Sequence, residues 1–302
     1  MPRRHLLLAV AVAVFWGVNF VIIDVGLESF PPLLFAALRF AFVAVPAVFF
    51  VPRPRIPWRY VVGVGLFLSG GQFALLFSGM HAGMPAGLAS VVVQLQALFT
   101  MVLAVGLLGE RPNRRQVTGA AIALGGMALI AAGRAGHGVP VGAFVLCVGA
   151  AASWGVGNVL TRKAQAPGGL GLVVWSSLVA PLPLLALSFA LEGGSRIGDA
   201  MTSASGSSIL ALLYVVVVAT GFGYGSWTFL LKRHPASRVS PFALLVPPVG
   251  IVTAWVAQGE RPSAIELIGT VVVLAGLALL SFAIRMPARR PPAERALADT
   301  PA

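Results

Sequence analysis

The sequence predicts an all-α polytopic membrane protein of ten transmembrane helices, arranged as two inverted five-helix repeats. Three observations carry this expectation: a composition too apolar for a water-facing surface, a succession of apolar runs of bilayer-spanning length, and an internal repeat whose flanking charges differ between its two copies.

Hydrophobic residues make up 58% of the 302-residue chain and charged residues only 10%, against ~25% charged in soluble domains. So few charges cannot cover a soluble surface, and disorder is excluded because apolar area is abundant. Cys147 is the only cysteine, which excludes disulfide frameworks and thiolate-based structural zinc sites.

The apolar runs lie at 6–26, 32–51, 60–80, 85–108, 117–133, 140–160, 170–191, 209–231, 239–258 and 265–284, each 17 to 24 residues long. A helix needs ~20 residues to cross ~30 Å of hydrocarbon. With the N-terminus cytoplasmic, seventeen of the 21 Lys and Arg fall on the cytoplasmic side. Only Arg134, Arg196 and Arg261 fall opposite, and Arg39 lies within a span. This is the positive-inside bias. The net charge of +12 therefore reports orientation in a bilayer, not a nucleic-acid partner. Both termini are expected to be cytoplasmic, with the first apolar run an uncleaved helix and 285–302 a disordered cytoplasmic tail.

Gly109-Glu110-Arg111-Pro112 recurs as Gly259-Glu260-Arg261-Pro262, and the same offset of 150 pairs Pro85 with Pro235, Ser90 with Ser240, Gly119 with Gly269 and Gly126 with Gly276. Trp16-Gly17-Val18-Asn19 is matched by Trp154-Gly155-Val156-Gly157-Asn158 with one insertion. These correspondences divide the chain into a first repeat, 1–137, and a second, 138–284. Five helices per repeat turn the second copy upside down. The charges agree: Arg111, Arg114 and Arg115 follow the first Gly-Glu turn, whereas only Arg261 follows the second. Inverted repeats characterise secondary transporters with a binding site near mid-membrane.

Polar side chains in hydrocarbon are costly unless they face the protein interior or a wet cavity. On that ground Trp16, Asn19, Gln72, Gln94, Gln96, Trp154, Asn158, Trp175, Tyr224 and Trp227 are candidates for a substrate path. Interhelical hydrogen bonding or interfacial anchoring is the alternative for each. Gln94 and Gln96 point in different directions on a helix, so one is expected to line the path and the other to bond a neighbouring helix. Arg39, Glu110, Pro247 and Glu260 are candidate structural or gating residues. Arg39 either attracts a carboxylate or is neutralised by carbonyls or Asp24 while snorkelling to the interface. Glu110 and Glu260 are expected to cap the helix that follows each turn, and the Pro247-Pro248 pair to free a carbonyl and kink its helix. His5, His81, His137 and His234 lack metal-ligand spacing, so neither a metal nor a cofactor is expected.

The chain resembles the EamA-type transporters of the drug/metabolite superfamily, and among them the bacterial cysteine and O-acetylserine exporters. The resemblance spans nearly the whole chain. It rests on the Trp16-Gly17-Val18-Asn19 opening, Leu38-Arg39-Phe40, Gly83-Met84-Pro85-Ala86-Gly87-Leu88-Ala89-Ser90 with Gln94 and Gln96, both Gly-Glu-Arg turns, and Ser240-Pro241 leading to Pro247. Asp24 departs from the pattern, standing where the family commonly has Lys. The resemblance implies export of small polar metabolites, amino acids in particular, by alternating access across the cell membrane. Proton coupling through Asp24 stays open. Other substrate classes (other amino acids, nucleosides, small drugs) are the nearest alternative. An intramembrane lipid-modifying enzyme is a remote one, since no acid/base cluster is present to serve it.

Overall fold

The computed structural model describes residues 1–134, 139–165 and 170–282, and every described element is helical. In chain order the helices are α1 (Arg3–Leu27), α2 (Pro32–Ala47), α3 (Trp58–His81), α4 (Ala86–Leu108), α5 (Arg114–Arg134), α6 (Val141–Lys163), α7 (Leu170–Leu191), α8 (Gly194–Ser203), α9 (Gly206–Arg233), α10 (Ser240–Gln258) and α11 (Ala264–Phe282). Eight of them are long and apolar enough to cross a membrane; Pro32–Ala47 and Ala264–Leu280 are shorter apolar helices. Side chains such as Val102, Leu187, Val217 and Val271 stand exposed in mid-helix. An apolar surface of this extent fits lipid, not water. The molecule is a polytopic membrane protein.

Two features depart from the sequence reading. The second apolar run was expected to continue to residue 51. Helix α2 instead stops at Ala47 in a turn over 48–50, whose last bond runs from Val51 to the Ala47 carbonyl just ahead of Pro52 and Pro54. Helix α8 was not anticipated: it is short and of mixed polarity, with Ile197 and Ala200 buried. A scan for long apolar runs passes over such a segment. The expected tail 285–302 lies outside the described residues.

Packing runs in pairs. Helix α1 rests on α4, α9 and α10; α6 rests on α3 and α4; α2 meets α7 and α9; α5 lies along α11. Glycine permits the closest approaches. A Cβ on Gly119 would fall 2.6 Å from the Gly276 carbonyl, and one on Gly126 would fall 2.8 Å from the Gly269 carbonyl. Contacts that rise along α5 while falling along α11 make that pair antiparallel. Gly17 is likewise pressed against Val249, at 2.5 Å from its would-be Cβ. Without a hydrophobic driving force between helices in lipid, small residues that bring backbones together carry much of the association.

Both helices of the α5 and α11 pair begin with reciprocal capping boxes. Asn113 and Gln116 exchange side chain to backbone hydrogen bonds (2.8 and 3.0 Å), as do Ser263 and Glu266 (2.7 and 3.3 Å). The Asn/Ser-x-x-Gln/Glu signature was present in the sequence. These boxes, and not Glu110 or Glu260, cap the helices after the two turns, which corrects the capping expectation for both glutamates.

Candidate functional site

The buried polar side chains of the first half lie in one layer. Asn19 on α1, Arg39 on α2, Gln72 on α3 and Gln94 on α4 are seven to nine residues from the same end of their helices, about 10 to 14 Å at ~1.5 Å per residue. This end, where α1 finishes and α4 begins, is called the far end below; the other, carrying Arg3, Arg53 and Arg233, is the basic end. All four residues are buried. Asn19 Oδ1, Arg39 Nη1 and Gln72 Oε1 are enclosed without a hydrogen-bond partner among the described residues. Most buried polar atoms are satisfied, so three orphans in one layer call for an explanation.

Helix α9 closes this layer from the second half. Its residues Tyr214–Phe222 form widened π-type turns, a geometry that loosens carbonyls and recurs at functional positions. Trp16 donates from Nε1 to the Ala219 carbonyl at 2.9 Å, and Arg39 donates from Nε to Thr220 Oγ1 at 3.0 Å. The Thr220 hydroxyl is itself turned onto the Val215 carbonyl (2.7 Å). One face of Trp16 meets Tyr224 and Trp227, with ring centroids 5.4 and 5.2 Å away. Gly223 has no alternative, since a Cβ there would sit 2.5 Å from the indole nitrogen. Trp16, Tyr224 and Trp227 thus form one aromatic wall.

Gln94 donates from Nε2 to the Ala243 carbonyl of α10 at 3.3 Å. That carbonyl also accepts the Val246 N–H of the 3₁₀ turn; Pro247, four residues on, has no N–H with which to make the α-helical bond to it. Helix α10 opens instead with 3₁₀ turns over Ser240–Leu245, and the Pro247-Pro248 pair falls in the first turn of the α-helical part. The expected mid-helix kink is replaced by this change of helix type.

The remaining candidates lie apart. Gln96 Oε1 accepts from Asn158 Nδ2 at 2.8 Å, and the same amide reaches Thr100 Oγ1 at 3.1 Å. Gln96 and Asn158 therefore join α4 to α6, with Trp154 packed against the core nearby. Trp175 donates from Nε1 to the Val51 carbonyl (3.0 Å) and meets Trp58 edge-on, at the basic end and outside the polar layer. Arg39 does not snorkel. It is 2% exposed, with its guanidinium 4.0 Å from the Phe73 ring centroid. Asp24 accepts instead from Gln258 Nε2 at the far end, 2.6 Å away. Both alternatives for neutralising Arg39 by snorkelling or by Asp24 are thereby corrected.

Two carboxylates that sequence reasoning misassigned or missed clamp the far end. Glu260 accepts from the amides of Ala86 and Gly87 (2.9 and 3.1 Å), and Glu192 from those of Leu33 and Leu34 (2.7 and 3.2 Å). Each places its negative charge on the exposed N–H groups and positive dipole end of a helix. The signal for both was a Pro-initiated helix without a Ser, Thr, Asn or Asp cap of its own. At the basic end Glu110 meets Arg162 on the surface, and His5 meets His234 at 2.7 Å. Among the described residues no group of three or more His, Cys, Asp or Glu could hold a metal.

A helical membrane bundle with buried polar side chains between facing helices fits a membrane protein that handles a polar solute. Comparison with known proteins makes the assignment specific: the EamA-like transporter family matches residues 3–132 and 141–282, and the chain belongs to that family. It is similar to the "Probable amino-acid metabolite efflux pump" of Salmonella typhimurium, 45% identical over 95% of this chain and 97% of the relative. The Escherichia coli protein of the same name is 41% identical over 94% and 97%. The "Probable terminal-alkyne amino-acid exporter" of Streptantibioticus cattleyicolor is 30% identical over 90% and 91%. A solved crystal structure aligns with a TM-score of 0.62 at 24% identity, covering 92% of this chain and 96% of the other, which shows the fold alone. The protein is a transporter, not an enzyme.

Proposed function

We propose that this transporter exports amino acids and closely related polar metabolites, cysteine and O-acetylserine among them, by alternating access between two inverted halves. Ten helices cross the cell membrane: α1 to α5 in residues 1–137 and α6, α7, α9, α10 and α11 in 138–284, with both termini cytoplasmic. The single observation that carries the mechanism is the glycine contact between α5 and α11. Gly119 meets Gly276 and Gly126 meets Gly269, while the repeat offset pairs Gly119 with Gly269 and Gly126 with Gly276. Two residues that each touch the other's repeat mate are what a two-fold axis between antiparallel, equivalent helices produces. The other packing pairs support it, since α1 against α9 and α10 corresponds to α6 against α3 and α4.

Two halves related in this way can exchange roles. Glu260 now holds the amides of Ala86 and Gly87; the equivalents are Glu110 and the amides of residues 236 and 237, which likewise follow a proline. In the opposite state Glu110 caps that helix start and Glu260 releases its own. The names of the relatives support amino acids as substrate, and so does a layer of amides and one guanidinium.

The test is flux of labelled amino acids in proteoliposomes containing the purified chain. Gradient-driven efflux of cysteine or O-acetylserine is expected; absence of flux for every amino acid in the panel would refute the assignment. A protonophore arm decides on proton coupling, for which Asp24 is the available acid. Tagging positions 113 and 263 is expected to place them on opposite faces of the membrane.

A further inference from the structure

Arg39 presents a physical problem that the fold by itself does not solve. The side chain is 2% exposed, its Nε is bonded to the Thr220 hydroxyl, and its guanidinium lies over the ring of Phe73. Those contacts are neutral. Among the described residues no carboxylate pairs with it, and Nη1 has no partner. Interaction with an aromatic ring and one hydroxyl offsets only part of the desolvation of a buried cation. A leucine or methionine would fill the same space without that penalty. A charge kept under these conditions in a membrane interior marks a site for its counter-ion.

The chemistry of the same layer narrows the counter-ion. The two other orphan atoms are acceptors, Asn19 Oδ1 and Gln72 Oε1. Gln72 precedes Phe73, which underlies the guanidinium, and Asn19 lies one turn from Trp16. Trp16 and Arg39 bond adjacent residues of α9, Ala219 and Thr220. One cationic donor set and two amide acceptors are complementary to a molecule with one carboxylate and one ammonium group. A chloride or phosphate would leave the acceptors unused, and a simple amine would leave the guanidinium unpaired.

Building on the export reading above, we propose that Arg39 is the carboxylate subsite of the transporter, with Asn19 and Gln72 receiving the substrate's ammonium group. The carboxylate pairs with the buried guanidinium while the ammonium group is hydrogen-bonded by the two amide oxygens, so the layer keeps its single net positive charge but each charged group in it has a partner. Molecules lacking the carboxylate meet an uncompensated positive charge. Selectivity then rests on the carboxylate and ammonium groups common to α-amino acids, and the side chain faces the aromatic wall of Trp16, Tyr224 and Trp227.

The test uses the full chain in proteoliposomes, with labelled cysteine efflux challenged by unlabelled cysteine and by cysteamine, the same molecule without its carboxylate. In the wild type cysteamine is expected to compete at least about tenfold less well, in keeping with the loss of one charge-assisted contact. In Arg39→Gln, shown to be folded by size-exclusion profile and thermal midpoint, affinity for cysteine falls about ten- to hundredfold and the preference over cysteamine disappears. Arg39→Lys keeps the preference at reduced affinity. Equal competition by the two compounds in the wild type would overturn the proposal even if Arg39→Gln failed to fold, and so would undiminished preference in a folded Arg39→Gln. A wild type that moves no amino acid would sink the export reading itself, whereas robust amino-acid flux without carboxylate preference sinks this inference alone.

Discussion

The turns Gly109-Glu110-Arg111-Pro112 and Gly259-Glu260-Arg261-Pro262 share their sequence and their backbone, yet their glutamates have different partners. Both glycines are left-handed, with φ of 66° and 71°, and the Glu amide of each donates to a carboxyl-terminal carbonyl of its helix, Ala104 or Ala254, at 3.3 Å. Glu260 then reaches across to the start of α4, while Glu110 meets Arg162 in a pair whose side chains are 45% and 49% exposed. Identical local chemistry settles the turn and leaves the partner to the tertiary arrangement. Those amides are within reach of Glu260 because the end of α10 closes onto the start of α4.

The largest expected effect comes from fixing that closure. Asp24 and Gln258 touch at the same end, so cysteines at both positions in a Cys147→Ser background, joined by a short bifunctional maleimide, are expected to abolish flux that the unlinked double variant retains. Flux that survives linkage would break the comparison, because the far end would then not need to open.

Next come the glycines between α5 and α11. Gly126→Val and Gly276→Val each push a side chain into facing backbone at 2.4 to 2.9 Å, and each is expected to destabilise by about 2 to 3 kcal/mol, read as a drop in thermal midpoint in detergent. Similar losses in the two halves sharpen the symmetry; a large loss in one half alone would contradict it. A smaller difference separates the glutamates. Glu260→Gln weakens two charge-assisted bonds to a helix start and is expected to cost about 1 to 2 kcal/mol. Glu110→Gln removes a solvent-screened pair and is expected to cost under about 0.5 kcal/mol. Equal midpoints for the two variants would deny the asymmetry. Smallest is Asn19→Leu, which removes an unpartnered buried acceptor and is expected to leave stability unchanged or slightly raised while flux of cysteine falls.

Much of the bundle was legible because hydrocarbon imposes a simple length rule on apolar runs. The capping boxes at Asn113 and Ser263 are contained within four residues, yet the reading gave the capping to Glu110 and Glu260, the more conspicuous residues of the repeated turn. Helix α8 was not, since its mixed polarity gives no long apolar run. The amides illustrate the limit within the site. The spacing of Gln94 and Gln96 excluded a shared direction, but it could not say that Gln96 would meet Asn158 or that Gln94 would meet the Ala243 carbonyl of another helix.

By itself the sequence determined the membrane class, the helical runs, the 150-residue repeat and the local shape of both Gly-Glu turns, because each depends on neighbours in the chain or on partition between water and lipid. Only the tertiary structure decided that Arg39 is buried with no acid beside it among the described residues, that the Asn19 and Gln72 amide oxygens are enclosed, and that Glu260 clamps a helix of the other half. Those outcomes depend on which distant backbones approach closely enough to exclude water, and a side chain's partner at that range is set by packing geometry rather than by its place in the sequence.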